Sequence, residues 1–335
     1  MHRVKIFCTL IVLCFGCQKN KTYDEWFVTS QQNNLAIQLF ATKQHSKSNP
    51  IAIFVHGDGP SNNDSHGYYL PIINHLNAQG ISAVSWHKPG VENSTGNWLS
   101  QSMNDRAIEV EDVINDLRQK GYRGSIGIIG FSQAGWVLPY INNTSIDFAA
   151  LISPAINWQQ QSAYQMMLRL IDKGVITEND LDAQAEILNL TDKEYQLFSQ
   201  GFAAYQADDL HQHPYMPAPI TDEARFNFIS MNMHEDATAG LAQLNIPLLV
   251  LMGAQDTQVD SQNTLKVIQE LPYADDKNKL HYRMFAQANH QLLHAEEFNG
   301  LSGIDWYLKF QLLQADAFAP DVLPSLTTWI KNITK

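Results

Sequence analysis

Ser132, Asp256 and His290 each stand just behind a strand-like run of this sequence, and together they could do chemistry. A serine hydroxyl is a weak nucleophile until an imidazole takes its proton and a carboxylate orients that imidazole. The three residue types together therefore point to acyl transfer through a covalent intermediate. Ser132 sits in Gly130-Phe131-Ser132-Gln133-Ala134-Gly135, directly after Ser125-Ile126-Gly127-Ile128-Ile129. A buried strand turning sharply into a helix would push Oγ outward, and the flanking positions must be small to clear the neighbouring strand and helix. Gly130, Ala134 and Gly135 meet that demand, although the usual pattern has glycine where Ala134 stands.

Downstream, Ile246-Pro247-Leu248-Leu249-Val250-Leu251-Met252-Gly253 reads as a buried strand, and Ala254-Gln255-Asp256 follows its end. Lys279 to Phe285 alternates as a second strand and leads into Ala286-Gln287-Ala288-Asn289-His290. Serine, aspartate and histidine thus occur in that order, each after a strand, at the sheet edge where α/β folds bind ligands. Asp260 is the alternative carboxylate and His294 the alternative imidazole. On a helix His290 and His294 would share a face, a spacing known from metal sites, but Gln291 stands where a zinc peptidase needs glutamate. No metal or organic cofactor is expected. His281 is expected to be packed inside its strand, His211 and His213 to face solvent beside prolines, and His56 to be structural.

An oxyanion needs donors as well. Ile51 to Val55 runs into His56-Gly57-Asp58-Gly59-Pro60, where glycine lets the backbone approach a substrate closely. The backbone amides of Asp58 and of Gln133, the residue after the serine, are the expected pair of donors. The glycines do not form a phosphate loop, because neither the Gly-Lys-Ser/Thr ending nor the dinucleotide fingerprint is present.

Strands alternating with helices predict a mostly parallel sheet covered on both faces. A hairpin over Glu25 to Ser30 and Leu35 to Thr42 leads in, Asp105 to Lys120 is a helix, and Ala149 to Pro154 is a strand. Residues 156–243 break the alternation and read as helical. Asn157 to Lys173 forms one helix, and Thr177-Glu-Asn-Asp180 and Thr191-Asp-Lys-Glu194 each look like a capping box opening another. Tyr195, Phe198, Phe202 and Tyr205 form a stripe that either packs this region onto the body or lines an acyl pocket. Pro214, Pro217 and Pro219 mark a stiff turn.

Two further stretches make the chain resemble the α/β-hydrolase superfamily, and within it the bacterial esterase and serine-aminopeptidase-like branch. His56-Gly57-Asp58-Gly59-Pro60-Ser61-Asn62-Asn63-Asp64 is similar to that branch's His-Gly-Ser-Gly-Pro-x-x-x-Asp loop. Trp86-His87-Lys88-Pro89-Gly90-Val91-Glu92-Asn93-Ser94-Thr95-Gly96 is similar to its Tyr-Asp-Lys-Arg-Gly-x-Gly-x-Ser-Thr-Gly loop, with His87, Pro89 and Glu92 as departures. The resemblance spans residues 25–155 and 245–333. It implies an α/β-hydrolase core over 18–155 and 244–335, with a helical lid, 156–243, inserted after strand six. It also implies a serine hydrolase in which Ser132 attacks, His290 moves the proton, Asp256 orients it, and the Asp58 and Gln133 amides hold the oxyanion. An esterase or thioesterase on small acyl substrates is the leading expectation. An exopeptidase would need an acidic cluster for the substrate's amino terminus, for which Glu178, Asp180, Asp208 and Asp209 are available. A catalytically silent binding lipoprotein is the third reading.

Residues 1–17 have the form of a signal peptide: a basic start at Arg3 and Lys5, an apolar stretch from Ile6 to Phe15 too short to span a bilayer, then Gly16-Cys17. Glycine before cysteine suits a lipoprotein processing site, so Cys17 is the expected lipidation site. Gln18 resembles the signal for the outer membrane of a bacterial envelope, facing the periplasm. All three cysteines lie in this segment, so the rest of the chain forms no internal disulfide. The net charge is -12 over 335 residues, and about -14 once Arg3 and Lys5 are removed. That balance argues against nucleic acid or an anionic lipid surface as partner and leaves the lipid anchor as the expected membrane contact.

Overall fold

The computed structural model describes residues 24–335, so the segment carrying Cys17 and the expected signal lies outside the described residues. Eight strands form one sheet in the order β1-β2-β4-β3-β5-β6-β7-β8. β1 (Asp24–Ser30) and β2 (Asn33–Phe40) form the expected hairpin, and β2 lies antiparallel to β4 (Ser82–Trp86). From there β3 (Ile51–Val55), β5 (Ile126–Phe131), β6 (Phe148–Ile152), β7 (Leu248–Gly253) and β8 (Leu280–Phe285) run parallel. β3 to β7 are buried along their whole length, which is why they read as unbroken apolar runs rather than as alternation.

Helices cover both faces. α1 (Tyr69–Ala78) packs on one of them, and α2 (Met103–Gln119) on the other, through Met103, Val110, Val113 and Leu117. α2 starts at a capping box in which Ser102 and Asp105 satisfy each other's backbone amides. The short α3 (Ala134–Val137) follows the serine turn. Between β6 and β7 the chain makes its helical excursion: α4 (Trp158–Asp172), α5 (Leu181–Gln200), α6 (Phe202–Ala207), α7 (Glu223–Asn232) and α8 (Thr238–Ala242). α9 (Ser261–Gln269), α10 (Ala295–Phe298), α11 (Gly303–Leu313) and α12 (Val322–Ile333) complete the order, with α11 and α12 on the α1 face. Among the described residues no helix is long and apolar enough to cross a membrane.

Several local expectations change. Thr191 opens no helix; it lies inside α5, where its hydroxyl donates to the Ile187 carbonyl at 2.8 Å and so needs no capping role. Asp180, the end of the other expected box, is itself the cap of α5, accepting from the Ala183 amide at 3.0 Å. The aromatic stripe packs: Phe198, Phe202 and Tyr205 gather around Phe226 with ring centroids 4.8, 5.2 and 5.1 Å away. His281 is exposed, because β8 is the edge strand of the sheet and leaves both His281 and its neighbour Tyr282 uncovered. His211 does not face solvent; its side chain is 5% exposed beside Glu194 and Tyr205.

Candidate active site

Ser132 directly follows β5 in a left-handed conformation with φ of 50°, a strained backbone for a residue with a side chain. The surrounding chain enforces it. The Ser132 amide donates to Ile152 O at 2.9 Å, and its carbonyl accepts from Gly135 N at 2.9 Å and Ala155 N at 3.0 Å. A Cβ on Gly135 would fall 2.3 Å from the Ala155 carbonyl oxygen. A Cβ on Gly130 would fall 2.9 Å from both Ala134 Cβ and Leu151 Cδ2. Ala134 is therefore tolerated in place of the usual glycine because the residue opposite it, Gly130, has no side chain.

Asp256 follows β7, its side chain fully buried. Oδ1 accepts from the amides of Gln258 at 2.7 Å and Val259 at 2.9 Å, and Oδ2 lies 2.7 Å from Nδ1 of His290. Asp260 does other work, capping α9 through the amides of Gln262 and Asn263. His290 and His294 share no helical face; 290–294 is a turn in which Ala288 and His294 pair as an antiparallel bridge. Asn289 shapes that turn by accepting from the amides of Gln291 and Leu293, each at 3.0 Å. Gly253 lets the histidine loop lie against the end of β7, since a Cβ there would stand 2.2 Å from Asn289 O.

Ser132 and His290 open onto one cavity of about 580 Å³. Gly57 and Asp58 form its wall beside the serine, and a Cβ on Gly57 would stand 3.4 Å from Ser132 Cβ. Among the described residues, the amides of Asp58 and Gln133 have no backbone acceptor. The floor is aromatic, with Tyr68, Tyr69 and Phe131, and the far wall is the start of α11, with Ser302, Gly303, Trp306 and Tyr307. Among the described lining residues none comes from 156–243. The insert instead grips the rim. Arg225 of α7 makes two hydrogen bonds to the Asp58 carboxylate at 3.0 and 2.7 Å, and Tyr164 of α4 donates to Asp256 O at 3.1 Å.

Beneath the Asp58 loop lies a buried polar network that hydrophobic patterning could not flag. Lys88, 2% exposed, donates to the carbonyls of Gly57 at 2.6 Å and Gly59 at 2.9 Å. Arg106, on the core face of α2, donates to His56 O and to Gln133 Oε1, each at 2.5 Å. Glu109 accepts from Gln101 at 2.6 Å and Trp86 at 3.3 Å, and burial pushes its carboxyl up to about 7, against the pull of those bonds and of Arg106. His56 lies between Tyr69 Oη at 2.9 Å and Trp86 O at 2.7 Å, and burial, followed by the Lys88 charge, pushes it down to about 3. It is therefore a neutral structural histidine, as its place in the loop suggested. Among the described residues no group of three or more His, Cys, Asp or Glu side chains could hold a metal ion.

Comparison with known proteins bears on the fold and the family. No curated protein matches the chain in sequence. Among solved structures it is similar to Est1E from Butyrivibrio proteoclasticus bound to ferulic acid, with 11% identity, a TM-score of 0.54, and coverage of 92% of this chain and 96% of that one. It is similar to the Pyrococcus furiosus esterase Pf2001, with 13% identity, a TM-score of 0.54, and coverage of 93% and 90%. A thermophilic esterase from Thermogutta terrifontis, malate-bound, gives 12% identity, a TM-score of 0.53, and coverage of 93% and 100%. At these identities the likeness is one of fold, and the fold is that of the α/β-hydrolases. Residues 46–297, three quarters of the chain, match the family described as serine aminopeptidase, S33, and the chain belongs to that family of hydrolases.

Proposed function

We propose that the protein is a serine esterase acting on small acyl substrates by two-step acyl transfer. Ser132 Oγ attacks the carbonyl carbon while His290 takes its proton, and Asp256 keeps the imidazole in the tautomer whose Nε2 is free to accept. The carbonyl electrons move onto oxygen, where the amides of Asp58 and Gln133 receive them, a donor pair worth about 2.7–4 kcal/mol per member. The tetrahedral centre collapses, and the alcohol leaves with the proton from His290. Water, deprotonated by the same histidine, then releases the acid. The observation that carries this reading is the 2.7 Å Asp256–His290 pair, whose histidine opens on the same cavity as a serine held at a φ of 50°.

An ester is favoured over an amino-terminal peptide by the charges at the wall. Among the described residues lining the cavity, the carboxylate is that of Asp58, and Arg225 already occupies it. None of Glu178, Asp180, Asp208 and Asp209 is among the described lining residues; Asp180 caps α5, and Asp208 accepts from the Leu210 amide at 2.8 Å. The chain from Gln18, assayed on paired p-nitrophenyl esters and aminoacyl-p-nitroanilides with Ser132→Ala as control, tests the proposal. Ester turnover that disappears in the variant is expected; Ser132-dependent anilide cleavage would turn the reading to a peptidase. No turnover together with no fluorophosphonate labelling would leave a silent binding protein. We also propose lipid attachment at Cys17, supported by Gly16-Cys17 after the apolar stretch, which palmitate labelling of Cys17→Ser against the parent would test.

A further inference from the structure

We infer that Lys88 is a positioning residue of the oxyanion hole, holding the peptide between Gly57 and Asp58 so that its N–H faces the cavity. This rests on the esterase reading and adds to it a residue that touches no substrate. The carbonyl of Gly57 and the amide of Asp58 are two ends of one peptide group. In a trans peptide they point in opposite directions, so an anchor on one end aims the other. Lys88 Nζ holds the Gly57 carbonyl at 2.6 Å and the Gly59 carbonyl at 2.9 Å, one on each side of Asp58. Gly57 and Asp58 line the cavity and Lys88 does not, so the anchor lies behind the loop.

The chemistry of the anchor matters as much as its place. A donor held on the carbonyl polarises the peptide, the more so in buried surroundings and when the donor carries charge, making the N–H at the far end a better donor. The arrangement is costly as packing. Lys88 is buried with carbonyls as its bonded partners, 5.2 Å over the Trp98 ring, and burial together with the Arg106 charge holds its pKa well below the usual lysine range. An apolar side chain would fill the space without that cost. Arg106 repeats the device one peptide earlier: it holds His56 O, and with its other nitrogen it holds Gln133 Oε1. The two donor segments are thereby fixed to one buried cation. Gln133 Nε2 closes the circuit on Asp58 Oδ1 at 3.3 Å.

The test is steady-state kinetics of Lys88→Met and Lys88→Gln on a p-nitrophenyl ester, with the affinity of a trifluoromethyl ketone measured alongside. That ketone forms a bond from its carbonyl carbon to Ser132 Oγ, the serine proton passing to His290, and places its oxyanion in the hole. Removing an oxyanion donor outright costs about 10²–10³ in kcat, so a donor left in place but unheld should cost about 10- to 100-fold. The expected result for Lys88→Met is that loss in kcat, KM within about threefold of the parent, and ketone affinity falling in proportion to kcat/KM. Lys88→Gln, which keeps a neutral donor, should fall between, and it carries the test if the methionine variant does not fold. A kcat within threefold of the parent in the folded variant, a loss confined to KM, or an unchanged ketone affinity would overturn the inference. A parent protein with no Ser132-dependent ester turnover would overturn the esterase reading itself, and this inference with it.

Discussion

Replacing Asp256 by asparagine separates a structural carboxylate from one that sets a tautomer. The side chain is fixed by its surroundings: Oδ1 accepts from two backbone amides, Gln258 at 2.7 Å and Val259 at 2.9 Å. An asparagine must keep its oxygen there, because an NH₂ group pointed at two N–H donors would be repelled. Its NH₂ then occupies the place of Oδ2, 2.7 Å from Nδ1 of His290. Facing a donor, Nδ1 must become an acceptor, and the ring proton moves to Nε2, the nitrogen that should take the proton from Ser132. Loss of one charge-assisted hydrogen bond alone would cost about 1.5–3 kcal/mol, roughly 10- to 150-fold. A wrong tautomer costs more, about 10⁴ in kcat or about 5.5 kcal/mol, with little change in the fold. Asp260→Asn is the matched control, since asparagine caps a helix as well as aspartate and α9 should not notice. The assay is kcat on a p-nitrophenyl ester with Tm as a check on folding. A loss of only tenfold in Asp256→Asn, or a larger loss in Asp260→Asn, would refute the reasoning.

Ser132→Gly should abolish ester turnover yet leave Tm unchanged or raise it, because glycine takes a φ of 50° without the αL strain of about 1–2 kcal/mol, partly offset by its greater chain entropy; a clear fall in Tm would contradict that account. Glu109 keeps a proton in the folded state up to about 7 that the unfolded chain gives up near 4.5. Its stabilisation is therefore complete below about 4.5 and lost as the pH rises through about 7, so Glu109→Gln should flatten the decline of Tm from about pH 5 to about pH 8, and parallel curves for the two proteins would count against it. Trp306 lines the cavity and stacks on Phe310 with centroids 5.0 Å apart, so Trp306→Ala should raise KM for bulky acyl esters several-fold and leave kcat near the parent value; an effect on kcat alone would remove Trp306 from the binding wall.

Much of the fold was legible because buried parallel strands announce themselves. Ile51–Val55, Ile126–Phe131 and Leu248–Gly253 are apolar throughout, and the residues that bear the proposed chemistry follow such strands by a few positions. The serine turn was legible for a steric reason, since small residues mark where chain segments nearly touch. What stayed hidden lay in polar side chains on apolar faces. Arg106 and Glu109 occupy core positions of α2, and Lys88 a buried loop, where their partners are backbone carbonyls and side chains distant in sequence. Periodicity weighs each position by its own polarity and cannot see a partner 50 residues away. The cavity wall was missed for a different reason. α11 carries apolar residues on several sides, so nothing in its pattern singles out Trp306 and Tyr307 as facing a cavity. The helical excursion of 156–243 was legible as helix, yet its boundaries moved, because Thr191 satisfies its hydroxyl inside α5 as readily as at a helix start.

The insert's hold on the rim has a consequence for how the protein would wear out. Through Arg225 it clasps the Asp58 loop, and through Tyr164 and Gln165 it holds the backbone of the loop that carries Asp256. One unit thus staples two separate strand ends that the reaction needs in register. Local melting of these helices, well short of global unfolding, would release both ends at once. On heating, inactivation would then run ahead of the collapse of the sheet, and a single protease cut in 156–243 could silence an otherwise intact core.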